Sequence, residues 1–223
     1  MSESIPPYIV PIFQEGRFLG SGFIVGSTLV TARHVGQNRS GWCLSAAIND
    51  KEYSLTTLKA VSYKDIDTII YRLPNVEVDS PLQFAAQEPV YDNNVGTPVS
   101  YISKHFQPTE DGHIIYRETE CLVTRETPYA EWRFDGFNVD RTTGGASGSP
   151  LIKDNLVYGM LVSGITYNIH NPDELIKEVV ASGELTEEQA KLGLAGLNNN
   201  DTYIKGWILK KVYERDFLHL SQQ

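Results

Sequence analysis

Short runs of apolar and β-branched residues, separated by turns that contain glycine, make up most of the first 165 residues. This spacing predicts β-strands, because strands are short and bounded by turn residues whereas amphipathic helices need longer periodic stretches. Gly20 and Gly22 fall inside the second run and predict a bulge or the close approach of another backbone. In the N-terminal half we predict strands at 8–13, 18–25, 28–31, 42–48, 51–58 and 68–73.

A stretch rich in Pro, Asp, Asn and Gln, from Pro74 to Asn94, interrupts the strand pattern. Its weak periodicity predicts a linker between two halves of the chain. Many short strands with glycine turns favour an all-β sandwich or barrel for each half. After the linker, strand-like runs resume at 96–103, 113–116, 120–124, 132–134, 151–152, 156–163 and 202–204.

Residues 171–200 have a different, helical character. Leu175, Ile176, Val179 and Val180 lie on one helical stripe. A capping box at 186–189 predicts the start of a second short helix. We therefore predict a helical insert at 171–200, followed by a last strand and by a C-terminal helix from about 207 to 218.

Composition and charge restrict the classes of function. The chain has 223 residues, a net charge of −9 and a pI near 5.0, which argue against binding to a nucleic-acid backbone. The sequence has no apolar run of membrane-spanning length and no secretory signal, so we expect a cytoplasmic protein with no membrane partner. The two cysteines, Cys43 and Cys121, lack the spacing of a zinc site, so we expect reduced thiols and no metal.

The glycine-rich stretch 142–150 suits a tight bend that presents the hydroxyl of Ser147. A serine hydroxyl is a weak nucleophile until a neighbouring base accepts its proton. His34 follows an apolar strand directly, which suits a base held by a rigid element, whereas the other histidines lie in polar, loop-like or terminal contexts. A carboxylate must then orient the histidine. Asp67 opens a strong apolar strand and is preferred, and Asp65 remains the alternative.

These three motifs, in the order His, Asp and Ser, resemble the chymotrypsin-like (trypsin-fold) serine proteases. The resemblance covers roughly residues 8–168 and 202–218. The segment 142–150 is similar to the nucleophile loop of the bacterial glutamyl endopeptidases, with Ala146 in place of their usual Asn. The strand at 20–25 and the segment 95–99 also resemble that bacterial branch, and the chain end resembles the heat-shock serine proteases.

The resemblance implies an all-β fold of two antiparallel six-stranded β-barrels, with a helical insert and a C-terminal helix. The N-terminal barrel, residues 1–80, would carry His34 and Asp67, and residues 81–94 would link it to the second barrel. The C-terminal barrel, residues 95–205, would carry Ser147 and the insert, and residues 206–223 would form the helix and tail.

The resemblance also implies a role for each matching position. Ser147 would attack the scissile carbonyl, His34 would take and return its proton, and Asp67 would orient His34. The backbone N–H groups of Gly145 and Ser147 would form the oxyanion hole. No cofactor is expected, and the partner would be a protein or peptide substrate.

The substrate pocket implied by the resemblance departs from known patterns. Arg141 occupies the position of the pocket floor, where a guanidinium would repel basic side chains and attract acidic ones. Thr142 matches a pocket threonine of the glutamyl endopeptidases, but Leu161 stands at or next to their pocket histidine. We expect an apolar or acidic residue at P1, the substrate residue before the scissile bond, and not a basic one. Val162, Ser163 and Gly164 would form the strand edge that pairs with the substrate.

Further expectations concern activation and regulation. The chain shows no activation site before its first strand, so we expect no zymogen cleavage. The insert at 171–200 would gate the site or dock a regulatory partner, although a solvated amphipathic decoration fits equally well. The predicted activity is limited proteolysis of a specific partner or of a polyprotein. The rival functions are a catalytically silent peptide-binding module and an esterase.

Overall fold

A computed structural model describes residues 5–37, 42–74, 76–91, 99–129, 134–139, 146–165 and 200–218, together with residues 177, 180, 181, 186 and 187. The described chain is mostly β and forms two seven-stranded sheets. The predicted all-β fold with two barrel-like halves is confirmed.

The first sheet is built from the N-terminal part of the chain. Its strands are β1 (Ile9–Gln14), β2 (Arg17–Val25), β3 (Thr28–Ala32), β4 (Leu44–Ile48), β5 (Lys51–Ser54), β6 (Ala60–Tyr63) and β7 (Thr68–Arg72). They lie in the order β5-β4-β1-β2-β3-β7-β6, and all neighbours are antiparallel. A short helix, α1 (Arg33–Gly36), follows β3 directly.

The second sheet contains β8 (Gln83–Phe84), β9 (Ser100–Pro108), β10 (Ile114–Tyr129), β11 (Phe134–Val139), β12 (Pro150–Lys153), β13 (Leu156–Ile165) and β14 (Asn200–Lys205). Its order is β12-β9-β10-β11-β14-β13-β8. Because β12 also pairs with β13, six of these strands close into a ring, and the short β8 is added in parallel to β13.

The structure adds two strands to the pattern expected from sequence and joins two predicted runs into one strand. Each sheet has seven strands instead of the predicted six. The additional strand of the first sheet is β6, whose residues are mostly exposed and so carry no alternating apolar signal. The additional strand of the second sheet is β8, which lies within the predicted linker and buries Phe84. The two runs predicted at 113–116 and 120–124 form one continuous strand, β10.

The two sheets share a core. One cluster joins Phe23, Val30 and Ile70 of the first sheet to Met160 and Ile204 of the second, all fully buried. Burial of such side chains is the main favourable contribution to folding, at about 1.5–3 kcal/mol for each. The two sheets are therefore held together by apolar packing, which fixes how residues at their boundary face each other.

The predicted C-terminal helix is present as α2 (Gly206–Phe217). It begins directly after β14 of the second sheet, and Tyr63 of β6 donates a hydrogen bond to Asp216 near its end, at 2.5 Å. The helix therefore connects the two halves. The predicted insert at 171–200 lies largely outside the described residues, of which 177, 180, 181 and 187 are helical. No helix in the described part of the chain is long and apolar enough to cross a membrane.

Candidate active site

His34 and Asp67 are joined by two side-chain hydrogen bonds. Asp67 Oδ2 lies 2.5 Å from His34 Nδ1, and Asp67 Oδ1 accepts the backbone N–H of His34 at 3.2 Å. The carbonyl oxygen of Asp67 also accepts the N–H of Arg33 at 2.6 Å. These contacts fix the position and the orientation of the imidazole. They place the proton on Nδ1 when the ring is neutral, so that Nε2 is free to accept another proton.

The local structure explains why these two side chains meet. β3 and β7 are paired so that Ala32 lies opposite Thr68, which brings the residues after β3 and before β7 to the same edge. Asp67 ends a single 3₁₀ turn with a φ of 44°, a left-handed conformation that Asp tolerates better than most residues. This conformation turns the carboxylate towards α1.

The two carboxylate candidates differ in burial, because Asp67 is buried and Asp65 is exposed. The side chain of Asp67 is only 2% exposed, whereas that of His34 is 36% exposed. Asp65 lies on the exposed side of the 3₁₀ turn and makes no described contact with His34. The arrangement is a buried carboxylate behind an imidazole that reaches solvent, which is what a proton-transfer base requires.

Ser147 lies in a loop that is bound to both sheets. Its carbonyl oxygen accepts the N–H of Ser21 in β2 at 2.9 Å. The next residue, Gly148, donates its N–H to the carbonyl of Leu161 at 2.8 Å, and Ser149 donates to Ala146 at 2.9 Å. Ser147 itself is partly exposed, while its neighbours on both sides are buried. The loop therefore presents one hydroxyl from a rigid backbone.

At Gly20 the loop that carries Ser147 meets α1, the helix that carries His34. A Cβ atom at residue 20 would lie 2.7 Å from the carbonyl oxygen of Ser147 and 2.9 Å from Cγ2 of Val35. Such distances are not tolerated, so only glycine allows this approach. The close approach predicted from Gly20 is thus present, and its partners are Ser147 and the residue next to His34. The described hydrogen bonds include none between the His34 ring and the Ser147 hydroxyl.

Several predicted site residues cannot be placed. Arg141, Thr142 and Gly145 lie outside the described residues, so the pocket floor and one oxyanion donor stay predictions. Ser163 and Gly164 continue β13, where they face Thr202 and Asp201 of β14.

Leu161 and Val162, also in β13, are buried in apolar clusters with exposures of 3% and 4%. Leu161 packs with Ala146 and Tyr203. Its N–H donates to the carbonyl of Ser149 at 2.9 Å, so this residue supports the loop that carries Ser147.

The burial of two polar residues, His105 and Ser149, was not predicted from sequence. His105 was expected in a polar, loop-like or terminal context, but it lies within β9 and is fully buried. The expectation was wrong because alternate residues of β9, including Tyr101 and Ser103, face the same interior as His105. Desolvation by burial lowers the pKa of His105, which favours its neutral form. Ser149 is also fully buried, and its Oγ has no hydrogen-bond partner among the described residues.

Comparison with known proteins identifies the fold. No family model and no curated protein matches this chain in sequence. Among solved structures, neuropsin, a serine protease expressed in the limbic system of mouse brain, is similar with a TM-score of 0.62 and 16% identity over 96% of each chain. The MamO protease domain from Magnetospirillum magneticum has a TM-score of 0.57 and 14% identity over 96% of this chain and 98% of that one.

A third similar structure is the active form of the Rv3671c protease from M. tuberculosis, with a TM-score of 0.52 and 22% identity over 72% of each chain. These likenesses do not distinguish a glutamyl endopeptidase branch, which stays a prediction. All three of these structures are proteases. The chain therefore has the fold of the chymotrypsin-like proteases.

Proposed function

We propose that this protein is a serine endopeptidase that cleaves selected protein substrates through an acyl-enzyme. The observation that carries the proposal is that the loop of Ser147 and the helix of His34 meet at one residue of β2, Gly20. The carboxylate of Asp67 holds His34, and both Val35 and Ser147 pack against Gly20. A base and a nucleophile supported from the same strand are held in a fixed relation, which the proposed reaction requires.

Each residue has a defined chemical step in this proposal. His34 Nε2 accepts the proton of the Ser147 hydroxyl as its Oγ attacks the scissile carbonyl. Asp67 keeps Nδ1 protonated and stabilises the imidazolium that forms, and His34 then returns the proton to the leaving amine. Water hydrolyses the acyl-enzyme by the same path in the second half of the reaction.

The negative oxygen of the tetrahedral intermediate needs hydrogen-bond donors. We assign this role to the backbone N–H groups of Gly145 and Ser147, from the resemblance of the loop 142–150. A rigid loop suits the role, because donors that are already oriented cost no reorganisation during the reaction. The hydrogen bonds of Ser147, Gly148 and Ser149 to neighbouring strands supply this rigidity.

We propose further that the enzyme rejects basic residues at P1 and accepts apolar or acidic ones. The proposed specificity follows from the charge of Arg141, because a cation at the predicted pocket floor would repel Lys and Arg side chains. The backbone of β13 at Ser163 and Gly164 is paired with β14 on one side. The other side of this segment is the edge that we assign to the substrate backbone. Limited proteolysis of a specific partner or of a polyprotein is the expected use.

A library of unstructured peptides tests the proposal. Wild-type protein and Ser147→Ala are each incubated with the library, and the new termini are identified by mass spectrometry. We expect cleavage by the wild type only, with Lys and Arg depleted at P1. Equal cleavage by both proteins would refute the serine mechanism. Cleavage by the wild type with Lys or Arg enriched at P1 would refute only the specificity.

A further inference from the structure

A cavity of about 690 Å³ lies on the first half of the molecule, away from the catalytic pair. Arg72, at the end of β7, lines it, whereas Asp67 immediately precedes the other end of that strand. The paired strand β3 likewise runs from Thr28 at the cavity to Ala32 beside His34. Five strand residues span about 13–16 Å. A ligand in this cavity would therefore leave the substrate cleft open.

The charges that line the cavity are of one sign. Lys59 and Arg72 line it, and no acidic side chain of the described residues does so. Arg72 is half-buried, its guanidinium carbon lies 5.4 Å from the centre of the Phe217 ring, and it forms no ion pair within the described part of the chain. A half-buried guanidinium without a carboxylate is a favourable partner for an anion, since it offers several N–H donors in a fixed plane.

Apolar side chains also line the cavity. Leu58, before β6, and Leu73, after β7, contribute from the first half of the molecule, and Tyr213 and Phe217 contribute from α2. The two rings are stacked, with centres 5.8 Å apart and planes inclined by 9°. Pockets of this volume with an apolar wall and a few oriented polar groups are typical of small-molecule sites. A ligand that fits must combine an apolar body with a negative charge.

The backbone around the cavity favours a small amphipathic anion over an extended peptide. The N–H of Arg72 donates to the carbonyl of Lys59 at 2.9 Å, and the N–H of Leu73 donates to the carbonyl of Ser27 at 2.9 Å. A peptide that binds by strand addition needs free main-chain groups, and these donors are already used. A carboxylate needs only the side-chain donors of Arg72 and Lys59.

We propose that this cavity binds a linear apolar chain that ends in a carboxylate, of the fatty-acid type. The carboxylate lies against Arg72 and Lys59, and the chain lies along the leucines and the stacked rings of α2. The site is separate from the proposed proteolysis and does not depend on it. A direct binding measurement therefore tests it even if the protein proves to have no protease activity.

Isothermal titration calorimetry with decanoate, decan-1-ol and decylammonium is the test. Measurement at two temperatures avoids a silent titration, because burial of apolar surface changes the binding enthalpy with temperature. We expect one decanoate per chain, bound about tenfold or more tightly than decan-1-ol, as a charge-assisted hydrogen bond requires. Decylammonium, which carries the opposite charge, should bind more weakly than both.

Variants distinguish the loss of the Arg72 charge from a loss of the native fold. Arg72→Gln should weaken decanoate binding about tenfold, and Arg72→Lys, which keeps the charge but not the planar donors, should weaken it less. Lys51→Gln, on the exposed edge strand β5, is the control and should change nothing. Thr57→Trp leaves both cations in place but fills the cavity, and it should abolish binding while near-UV circular dichroism remains native.

Three results would overturn the proposal. The first is equal affinity for decanoate and decan-1-ol, which would mean that the cations do not act on the ligand. The second is full decanoate binding by Arg72→Gln or by Thr57→Trp, which would place the ligand elsewhere. The third is the absence of binding to the wild type at both temperatures.

Discussion

The backbone N–H of Ser21 donates a hydrogen bond to the carbonyl oxygen of Ser147 at 2.9 Å. This bond joins β2 of the first sheet to the loop that carries Ser147. The carbonyl of Ser21 in turn accepts the hydroxyl of Thr31 at 2.7 Å, so Ser21 is held on both sides. β3 leads from Thr31 into His34. Through the two hydrogen bonds of Ser21, β2 therefore sets the positions of both the proposed nucleophile and the proposed base.

Replacement of Asp67 by Asn tests the orienting role of the carboxylate. The amide can present an N–H to Nδ1 of His34, which would favour the wrong tautomer, with the proton on Nε2. We expect kcat to fall about 10,000-fold with the fold retained. Asp65→Asn is the matched control, since Asp65 is exposed two residues away and should keep full activity. Steady-state kinetics on a cleaved peptide would contradict the assignment if the two variants lost activity equally.

Two glycines with the same positive φ distinguish the effect of backbone strain from that of close packing. Gly112 and Gly148 both have a φ of +84°, but a Cβ at residue 112 meets nothing within 4 Å. A Cβ at residue 148 would collide with the carbonyl oxygen of Ser21 and the hydroxyl of Thr31. Gly112→Ala should therefore lower the free energy of unfolding only through backbone strain, by roughly 1–2 kcal/mol, and keep activity.

Gly148→Ala should cost more stability than Gly112→Ala and should also abolish activity, because the loop must move away from β2. Urea unfolding and peptide cleavage measure the two effects. If Gly148→Ala were as active as Gly112→Ala, the contact between the loop and β2 would have no part in the site.

Burial of His105 predicts a pH dependence of stability. Desolvation lowers its pKa in the folded chain, whereas the unfolded chain has the ordinary pKa of about 6.5. The contribution of neutral His105 to the free energy of unfolding is therefore fully present above about pH 6.5. It is lost as the pH falls towards the pKa of the folded state, by up to about 1.4 kcal/mol per pH unit.

His105→Gln should reduce the loss of unfolding free energy between pH 7 and pH 5. His113→Gln should leave it unchanged, since the side chain of His113 is 79% exposed. Urea unfolding at each pH gives the comparison. A slope that is the same in wild type and in His105→Gln would contradict the burial argument.

We predict that Glu88 stabilises the contact between the connecting segment and α2. Its carboxylate lies 2.9 Å from Lys205 Nζ, whose side chain is 3% exposed, and accepts the indole N–H of Trp207 at 2.7 Å. Glu88→Gln would weaken the pairing of a buried ammonium, and we expect a loss of about 1–3 kcal/mol.

A carboxylate on the exposed face of α2 is the control for Glu88. Glu214→Gln removes a partly exposed pair with Lys210 at 3.8 Å and should cost less than about 0.5 kcal/mol. Equal losses of unfolding free energy in the two variants would show that the Glu88 contact adds nothing beyond a surface charge.

The sequence supported the prediction of those features that leave a local pattern. The strands around Phe23, Val30 and Ile70 were predictable because their apolar residues lie between turn residues. The exposed strand β6 left no such pattern. A short linker strand such as β8 leaves none either, because two residues are too few for a period.

The candidate site likewise combines features that were predictable from sequence with features that were not. Gly20 indicated a close backbone approach, but only the folded chain identifies Ser147 and Val35 as its partners. His105 has an ordinary sequence context, and its burial depends on the pairing of β9 with strands that are distant in sequence. The cavity beside Arg72 combines residues from segments separated by more than 100 positions, so no local pattern could predict it.

We expect Ser147 to be a nucleophile that His34 activates. A fluorophosphonate probe measures this directly, because it labels only a serine whose hydroxyl is activated by a base. We expect stoichiometric labelling of the wild type, mapped to Ser147 by mass spectrometry, and no labelling of His34→Ala or Ser147→Ala. Failure to label correctly folded wild type, or unchanged labelling of Ser147→Ala, would contradict the account and would favour a silent binding module.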